Sequence, residues 1–421
     1  MKNEKICKGV NLFSHKTDKF KTAVISLTVS APLDSNAGMN ALIIRLLART
    51  NKMYPTMLEM NRYLASLYGA SISPIIKKSG DIQLLTLCLN VIDDRFTLDG
   101  ESVSKAGIEL LCSCLFEPDV TLSGFDEENV EREKRLLIEK IESDRDDKRV
   151  YSLNQMLHNM CDGEAYGLNE YGEIEDIKKI TPKQLFEQWK TLILTCPVTV
   201  SIVGSSADTA KSVIKPYFER FEKQELCELR TEFITHADEV RTVVEKQPVK
   251  QGKLVIGLRA GMTYDMDNFA AIRLMTAIFG GGTFSKLFSN VREKMSLCYY
   301  CTARLVSSKG IITIESGVET DNMEKALSAI RNELEDMRKG NFSDEVIESA
   351  KLSLCDSLNS VGDSNSSILS WFLSSITNGE FKTPQEIAGM IKNVSREEII
   401  LAANMVTEDT VFMLESEKEA E

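Results

Sequence analysis

The sequence is short of the residues from which metal and catalytic centres are most often built. Its 421 residues include three histidines, two tryptophans and nine prolines. The histidines, His15, His158 and His236, lie far apart, and none has a second His four positions away to share a zinc ion on one helix face. Positive charge is in deficit as well. Fifty Lys and Arg against 63 Asp and Glu leave a formal charge of −13, which argues against generic binding to nucleic acid or anionic lipid, since both attract basic patches. No apolar run approaches the ~20 residues needed to cross a bilayer. The first nine residues, from Met1 to Gly9, lack the apolar stretch of a signal peptide, so the chain is expected in the cytoplasm.

What is present is an ordinary globular balance, 43% hydrophobic and 27% charged. A chain of this length exceeds a single core and is expected to form two domains of about 200 residues each. The ten cysteines are scattered, and in so large a chain they read as reduced thiols rather than staples. The closest pairs, Cys112/Cys114 and Cys298/Cys301, sit among neighbours that read as buried helix and buried strand. No metal or redox role is assigned to them.

Strand, loop and helix signals occur twice. Residues 22–30 form a β-branched strand pattern, 32–38 a turn-rich stretch, and 39–48 a largely buried helix. The same sequence of signals returns at 253–260, 261–267 and 268–277. Leu254 follows Val24 by 230 positions, and the same spacing carries Ala41 to Ala271 and Ile44 to Leu274. One register across three elements points to a duplicated domain. Both halves also close on a helix opened by a capping box (Thr181 with Gln184, Ser395 with Glu398), followed by a strand. The polar stretch between them reads as an extended linker that adds a strand at its end. Within each half, strands and helices do not alternate strictly, so the fold class is α+β.

Residues 278–300 read Ile-Phe-Gly-Gly-Gly-Thr-Phe-Ser-Lys-Leu-Phe-Ser-Asn-Val-Arg-Glu-Lys-Met-Ser-Leu-Cys-Tyr-Tyr. The three glycines alone are a helix stop. A phosphate cradle needs a strand before them and a Lys-Ser/Thr after them, whereas here a helix precedes and Thr-Phe-Ser follows. The whole segment resembles the C-terminal-domain signature of the M16 metallopeptidases, the insulinase and mitochondrial-processing-peptidase family. By that resemblance Arg292 and Tyr299 contact a peptide substrate and support its cleavage in the paired domain, with Gly280, Gly281, Gly282, Thr283 and Phe284 lying along the peptide. A guanidinium fork and a phenolic donor suit a carbonyl becoming an oxyanion. The plainer alternative makes Arg292 part of a helix salt bridge with Glu293 and Tyr299 a strand core residue.

The first half resembles the same family in layout but not in chemistry. Where the family carries His-x-x-Glu-His on a helix, aligning Gly38 with its glycine puts Ala41, Ile44 and Arg45 at the three key positions. The Glu that is the family's third ligand falls, seven residues after Glu133, on Lys140. The resemblance therefore implies a zinc-less bacterial member that does not hydrolyse peptides alone. It implies two homologous domains, each a mixed sheet backed by helices, in a clam-shell arrangement: residues 1–225, a linker 226–250, and residues 251–421. It further implies a non-catalytic subunit with no cofactor of its own, lending Arg292 and Tyr299 to a zinc-bearing M16 homologue, or pairing with itself. A peptide would bind as an extended strand on a sheet edge. The alternative is a stand-alone peptide-binding or scaffold protein, related Gram-positive sequences carrying names tied to modification of a translation elongation factor.

Overall fold

The strand pattern at 22–30 and its echo at 253–260 become the middle strands of two separate sheets. The computed structural model describes residues 1–205, 207, 210–220, 223–261, 268–377 and 381–417. Within these the chain divides into unit 1 (Met1–Glu142, Leu168–Arg230, Val361–Phe381) and unit 2 (Ser143–Gly167, Thr231–Ser360, Lys382–Glu421). Of the loop expected at 261–267, all but Gly261 lies outside the described residues.

Unit 1 holds β1 (Lys2–Cys7), β2 (Val10–Lys16), β3 (Thr22–Pro32), β4 (Ser71–Ser79), β5 (Ile82–Ile92), a small separate hairpin of β6 (Val120–Thr121) and β7 (Gly124–Phe125), and β8 (Val198–Gly204). Its sheet runs β1-β2-β8-β3-β5-β4, with β2 and β8 parallel and the other neighbours antiparallel. Unit 2 holds β9 (Arg241–Gln247), β10 (Gly252–Arg259), β11 (Cys298–Val306), β12 (Ile311–Val318) and β13 (Thr407–Ser416). Its order is β11-β12-β10-β13-β9, with β13 and β9 parallel. Read from the parallel pair outward, β2-β8-β3-β5-β4 matches β9-β13-β10-β12-β11 strand for strand. The 230-residue register is thus a repeated topology, with Ala41 and Ile44 in the helix Ala37–Leu47 and Ala271 and Leu274 in the helix Phe269–Gly280. The α+β class read from the sequence holds.

β3 is buried along almost its whole length because helices cover both faces of its sheet. Ile25, Leu27 and Val29 join the main core beneath the helices Ala37–Leu47, Val103–Phe116 and Pro182–Thr195. On the other face Val24 meets Leu369 and Leu373 of the helix Asn365–Ser375, and Phe372 of that helix stacks on Phe13 at 5.2 Å. That helix belongs to the second half of the sequence. Reciprocally, the helix Lys148–Met160 of the first half lays Met156 and Met160 against Val255 of β10 and Phe412 of β13. Gly257 permits this approach, because a Cβ there would meet both sulfurs at 2.5 Å. Each half of the sequence therefore lends one helix to the other half's sheet. Each large side chain buried in these contacts contributes on the order of 1.5–3 kcal/mol.

Helices begin where local chemistry says they should: the capping boxes Thr181/Gln184 and Ser395/Glu398 are both formed. Among the described residues, no helix is long and apolar enough to cross a membrane.

Candidate functional site

In unit 1, the helix Ala37–Leu47 turns Ala41 and Ile44 into the core, where both are buried. Arg45 turns instead toward the helix Glu127–Asp146, and its Nε pairs with Glu133 Oε2 at 2.7 Å. Arg49, four positions on, forms a second ion pair with the same carboxylate. Glu133 is 2% exposed, so it is a buried anion held between two guanidinium groups. Lys140 lies two helical turns further along the same face. It is exposed, with its ammonium 5.7 Å from the centre of the Tyr171 ring. Methyl and sec-butyl side chains carry no ligand atom, and two cations repel a metal ion. This set does not fit zinc, which takes N, S or carboxylate O donors.

The helix is seated by a close backbone approach. Gly172 adopts φ +77°, and a Cβ there would meet Gly38 N and Cα at 2.6 Å. The histidines stay apart from all this: His158 Nδ1 lies 3.3 Å from Gly167 O, and His236 Nε2 lies 3.9 Å from Asp238. Among the described residues, no group of three or more His, Cys, Asp and Glu is arranged to hold a metal ion.

In unit 2, most of the 278–300 segment is architecture. Gly280 ends its helix against β11, where a Cβ would meet Ala303 N at 2.5 Å. Gly281 caps the helix, and Gly282 accepts the Ser285 hydroxyl at 2.6 Å. Thr283 is exposed and Phe284 half-buried in the turn that follows. Lys286 is buried and pairs with Glu333 at 3.0 Å and Asp336 at 3.3 Å, while Leu287 and Val291 fill the core. Residues Leu287–Lys294 wind as a π-helix, a rare form that recurs at functional sites. Ser296 then turns the chain at φ +52°, uncommon for a residue with a Cβ.

Arg292 and Tyr299 both reach the surface, at the two ends of an exposed turn that also carries Glu293, Lys294, Met295 and Ser296. Arg292 is 36% exposed and packs its guanidinium 4.6 Å from the centre of the Phe288 ring. Its Nε donates to Tyr299 O at 2.9 Å, and its Nη1 donates to Glu293 at 2.6 Å. The expected Glu293 pair is therefore formed, but Tyr299 is 60% exposed and no core residue. A β-bulge causes this. Cys298 faces Val318 and Tyr300 faces Gly317, which leaves Tyr299 as the extra residue, aimed outward. Its hydroxyl donates to Glu319 Oε1 at 3.1 Å. That hydrogen bond and the carboxylate charge raise the phenol above its ordinary range and keep it a donor. Next to it, Tyr300 lies under the Arg149 guanidinium at 4.8 Å, and Arg149 pairs with buried Glu315 at 2.8 Å. Burial pushes the Tyr300 phenol up to about 12.

Cys298 and Cys301 make a C-x-x-C spacing, and only Cys301 is the buried strand residue that both were expected to be. The Cys298 thiol is brought down to about 7, chiefly by a hydrogen bond with the Cys301 thiol; Ser316 and the Arg292 charge add to it. Spacing alone could have drawn attention to this pair. Glu133 and Glu319 were not singled out as partners of Arg45 and Tyr299, because each is brought in by helix packing or strand register rather than by a motif.

The chain matches the family described as "Peptidase M16 inactive domain" over residues 179–354. It is 33% identical over 420 residues to the probable inactive metalloprotease YmfF of Bacillus subtilis, covering 98% of this chain and 97% of that one. Its fold is similar to that of a conserved protein from Enterococcus faecalis, with a TM-score of 0.89 and 24% identity over 100% of this chain and 99% of the other. A structure described as the peptidase M16 inactive domain from Pseudomonas fluorescens gives 0.79 and 16% identity over 100% and 99%.

Proposed function

We propose, from the premise that this chain belongs to the M16 metallopeptidase family, that it is a non-hydrolytic subunit lending Arg292 and Tyr299 to a peptide held at a related partner's zinc site. The observation that carries this reading is a contrast within one chain. The positions where the family carries zinc chemistry are Ala41, Ile44 and an Arg45 tied to Glu133, whereas Arg292 and Tyr299 stand at the surface, the Arg292 guanidinium held on the Tyr299 main-chain carbonyl. Residues kept for packing alone are buried, as Leu287 and Val291 are. At rest Glu293 and Glu319 occupy the two donors, so an incoming peptide carbonyl exchanges a carboxylate contact for its own. The guanidinium and phenol then supply positive potential to an oxygen gaining charge. Bond cleavage itself belongs to the partner.

Co-expression with a zinc-bearing M16 homologue tests this. The mixture is expected to assemble and to cleave a quenched peptide library, while the isolated chain neither retains zinc nor cleaves. Cleavage with bound zinc by the isolated chain would overturn the reading.

A second reading is a stand-alone peptide-binding scaffold, favoured by one feature. β4 and β11 occupy equivalent edge positions in the two sheets, and each leaves a row of main-chain groups to which an extended peptide could add as a strand. Peptide binding by the isolated chain that survives Arg292→Ala, with no cleavage in any mixture, would place this reading first.

A further inference from the structure

Away from the regions above, unit 1 gathers thiols and a lysine at the point where the chain leaves it. The helix Pro182–Thr195 ends at Cys196, which is 3% exposed. The segment after the helix Ala210–Arg220 returns to that helix end. There the Gln224 amide donates to Leu194 O at 3.0 Å and the Cys227 amide to Thr195 O at 2.8 Å. This return brings Cys227 Sγ to 3.6 Å from Cys196 Sγ. Lys223 is buried beside them and donates from Nζ to Cys196 O at 2.7 Å and to Ile193 O. The first hairpin closes over the cluster, since a Cβ on Gly9 would meet Leu226 Cδ2 at 2.7 Å. Cys7, the third thiol, is half-buried there.

We propose that Cys196 and Cys227 are an oxidisable dithiol, closed into a disulfide by low-molecular-weight disulfides of the glutathione type. The sulfurs are in contact and need to approach by only about 1.5 Å to reach bonding distance. Cys196 is a helix cap and Cys227 lies in irregular chain, so neither sits in the middle of a helix or strand that the approach would have to distort. Cys227 is half-buried and reachable; Cys196 is hidden. Burial and the neighbouring Cys227 raise the Cys196 thiol and keep it protonated, so attack begins at Cys227. The Cys227 thiolate bonds to one sulfur of the small disulfide, whose S–S bond breaks and releases a thiolate. Cys196 then gives up its proton and attacks Cys227 Sγ, expelling the second small thiolate. Two protein thiols and one small disulfide become one protein disulfide and two small thiols. Lys223, held at Cys196 O by its ammonium, places a positive charge beside the thiolate that forms at Cys196 and favours it. The closed bond would fasten the last residues of the segment Leu168–Arg230 to unit 1, just before the chain enters unit 2 at Thr231.

The test uses the full chain equilibrated in glutathione buffers of graded oxidised-to-reduced ratio, then alkylated and mapped by peptide mass. The expected result is a linked Cys196–Cys227 peptide pair and loss of two of the ten free thiols. The linkage should persist in Cys7→Ser and vanish in Cys227→Ser, and oxidation should raise the Tm of the natural chain but not of Cys227→Ser. A glutathione adduct that stays on Cys227, both thiols still alkylatable in excess oxidised glutathione, or Cys7 in place of Cys196 in the linked pair would each overturn the proposal. Cys227→Ser carries the test even if Cys196→Ser fails to fold, because Cys227 lies only half-buried at the edge of the core.

Discussion

The helix Lys148–Met160 is fastened to unit 2 by a buried charge cluster, and Glu164→Gln is the perturbation that reads its strength. Arg259 makes a two-pronged contact with Glu164, at 2.7 and 3.3 Å, and pairs with Asp409 at 2.7 Å. Its Nη2 also donates to Met160 O, the end of the helix, at 2.8 Å. Lys309, 0% exposed, pairs with Glu164 at 2.9 Å and donates to Glu232 O at 2.6 Å. Glutamine preserves the shape but withdraws one carboxylate charge from two buried cations. Breaking a buried pair in this way costs about 3–5 kcal/mol, roughly 10²–10³-fold or more in the local opening equilibrium. Native-state hydrogen exchange across Lys148–Met160 and β10 reads that change directly. Asp176→Asn is the control, since the Lys179–Asp176 pair is 73% exposed on both sides and should change exchange by no more than ~0.5 kcal/mol. The pH dependence has a definite sign. Burial pushes the Glu164 carboxyl up, but hydrogen bonds from Arg259 and Lys309 outweigh it and leave it below its ordinary 4.5. Its contribution is therefore present above 4.5 and lost as pH falls through the depressed folded value, so variant and natural chain converge in acid. A Glu164→Gln effect as small as the control's would refute the view that this cluster holds the exchanged helix in place.

Three further outcomes are expected. Glu133→Gln leaves Arg45 and Arg49 without their shared buried anion and should destabilise unit 1 by about 2–3 kcal/mol in denaturant unfolding. Gly280→Ala drives a Cβ into the backbone of Ala303 and should cost about 1–3 kcal/mol, seen as a lowered Tm, whereas the open position Gly389 tolerates alanine. Alkylation of Cys298 by iodoacetamide, followed by peptide mass, should rise through a midpoint about 7; buried Cys114, held up to about 12, should stay unreacted until the chain unfolds.

How much of this was legible depends on the range of the interaction. Strand β3, the helix after it, both capping boxes and the 230-residue repeat are local patterns, and each was visible in the order of residues alone. The exchange of the helices Lys148–Met160 and Asn365–Ser375 was not. An amphipathic stripe says that a face is buried but not which sheet buries it. The π-helical winding of Leu287–Lys294 was hidden because a helical apolar period looks the same when the backbone bonds slip by one residue. Spacing alone made Tyr299 a core residue, because strand alternation assigns faces only where pairing is regular, and only the family resemblance pointed it outward. A bulge is a property of two strands in register, and β12 supplies the other half. Ala41, Ile44 and Arg45 were placed by resemblance, but the pairing of Arg45 with Glu133 required the packing of two helices.

The most direct test of the central claim is the turnover rate of an assembled complex between this chain and a zinc-bearing M16 homologue, with Arg292 either intact or replaced by alanine. The account predicts that Arg292→Ala leaves assembly intact and lowers kcat on the order of 10²–10³-fold, the usual effect of removing one donor to a developing oxyanion. An unchanged kcat in a fully assembled complex would contradict it.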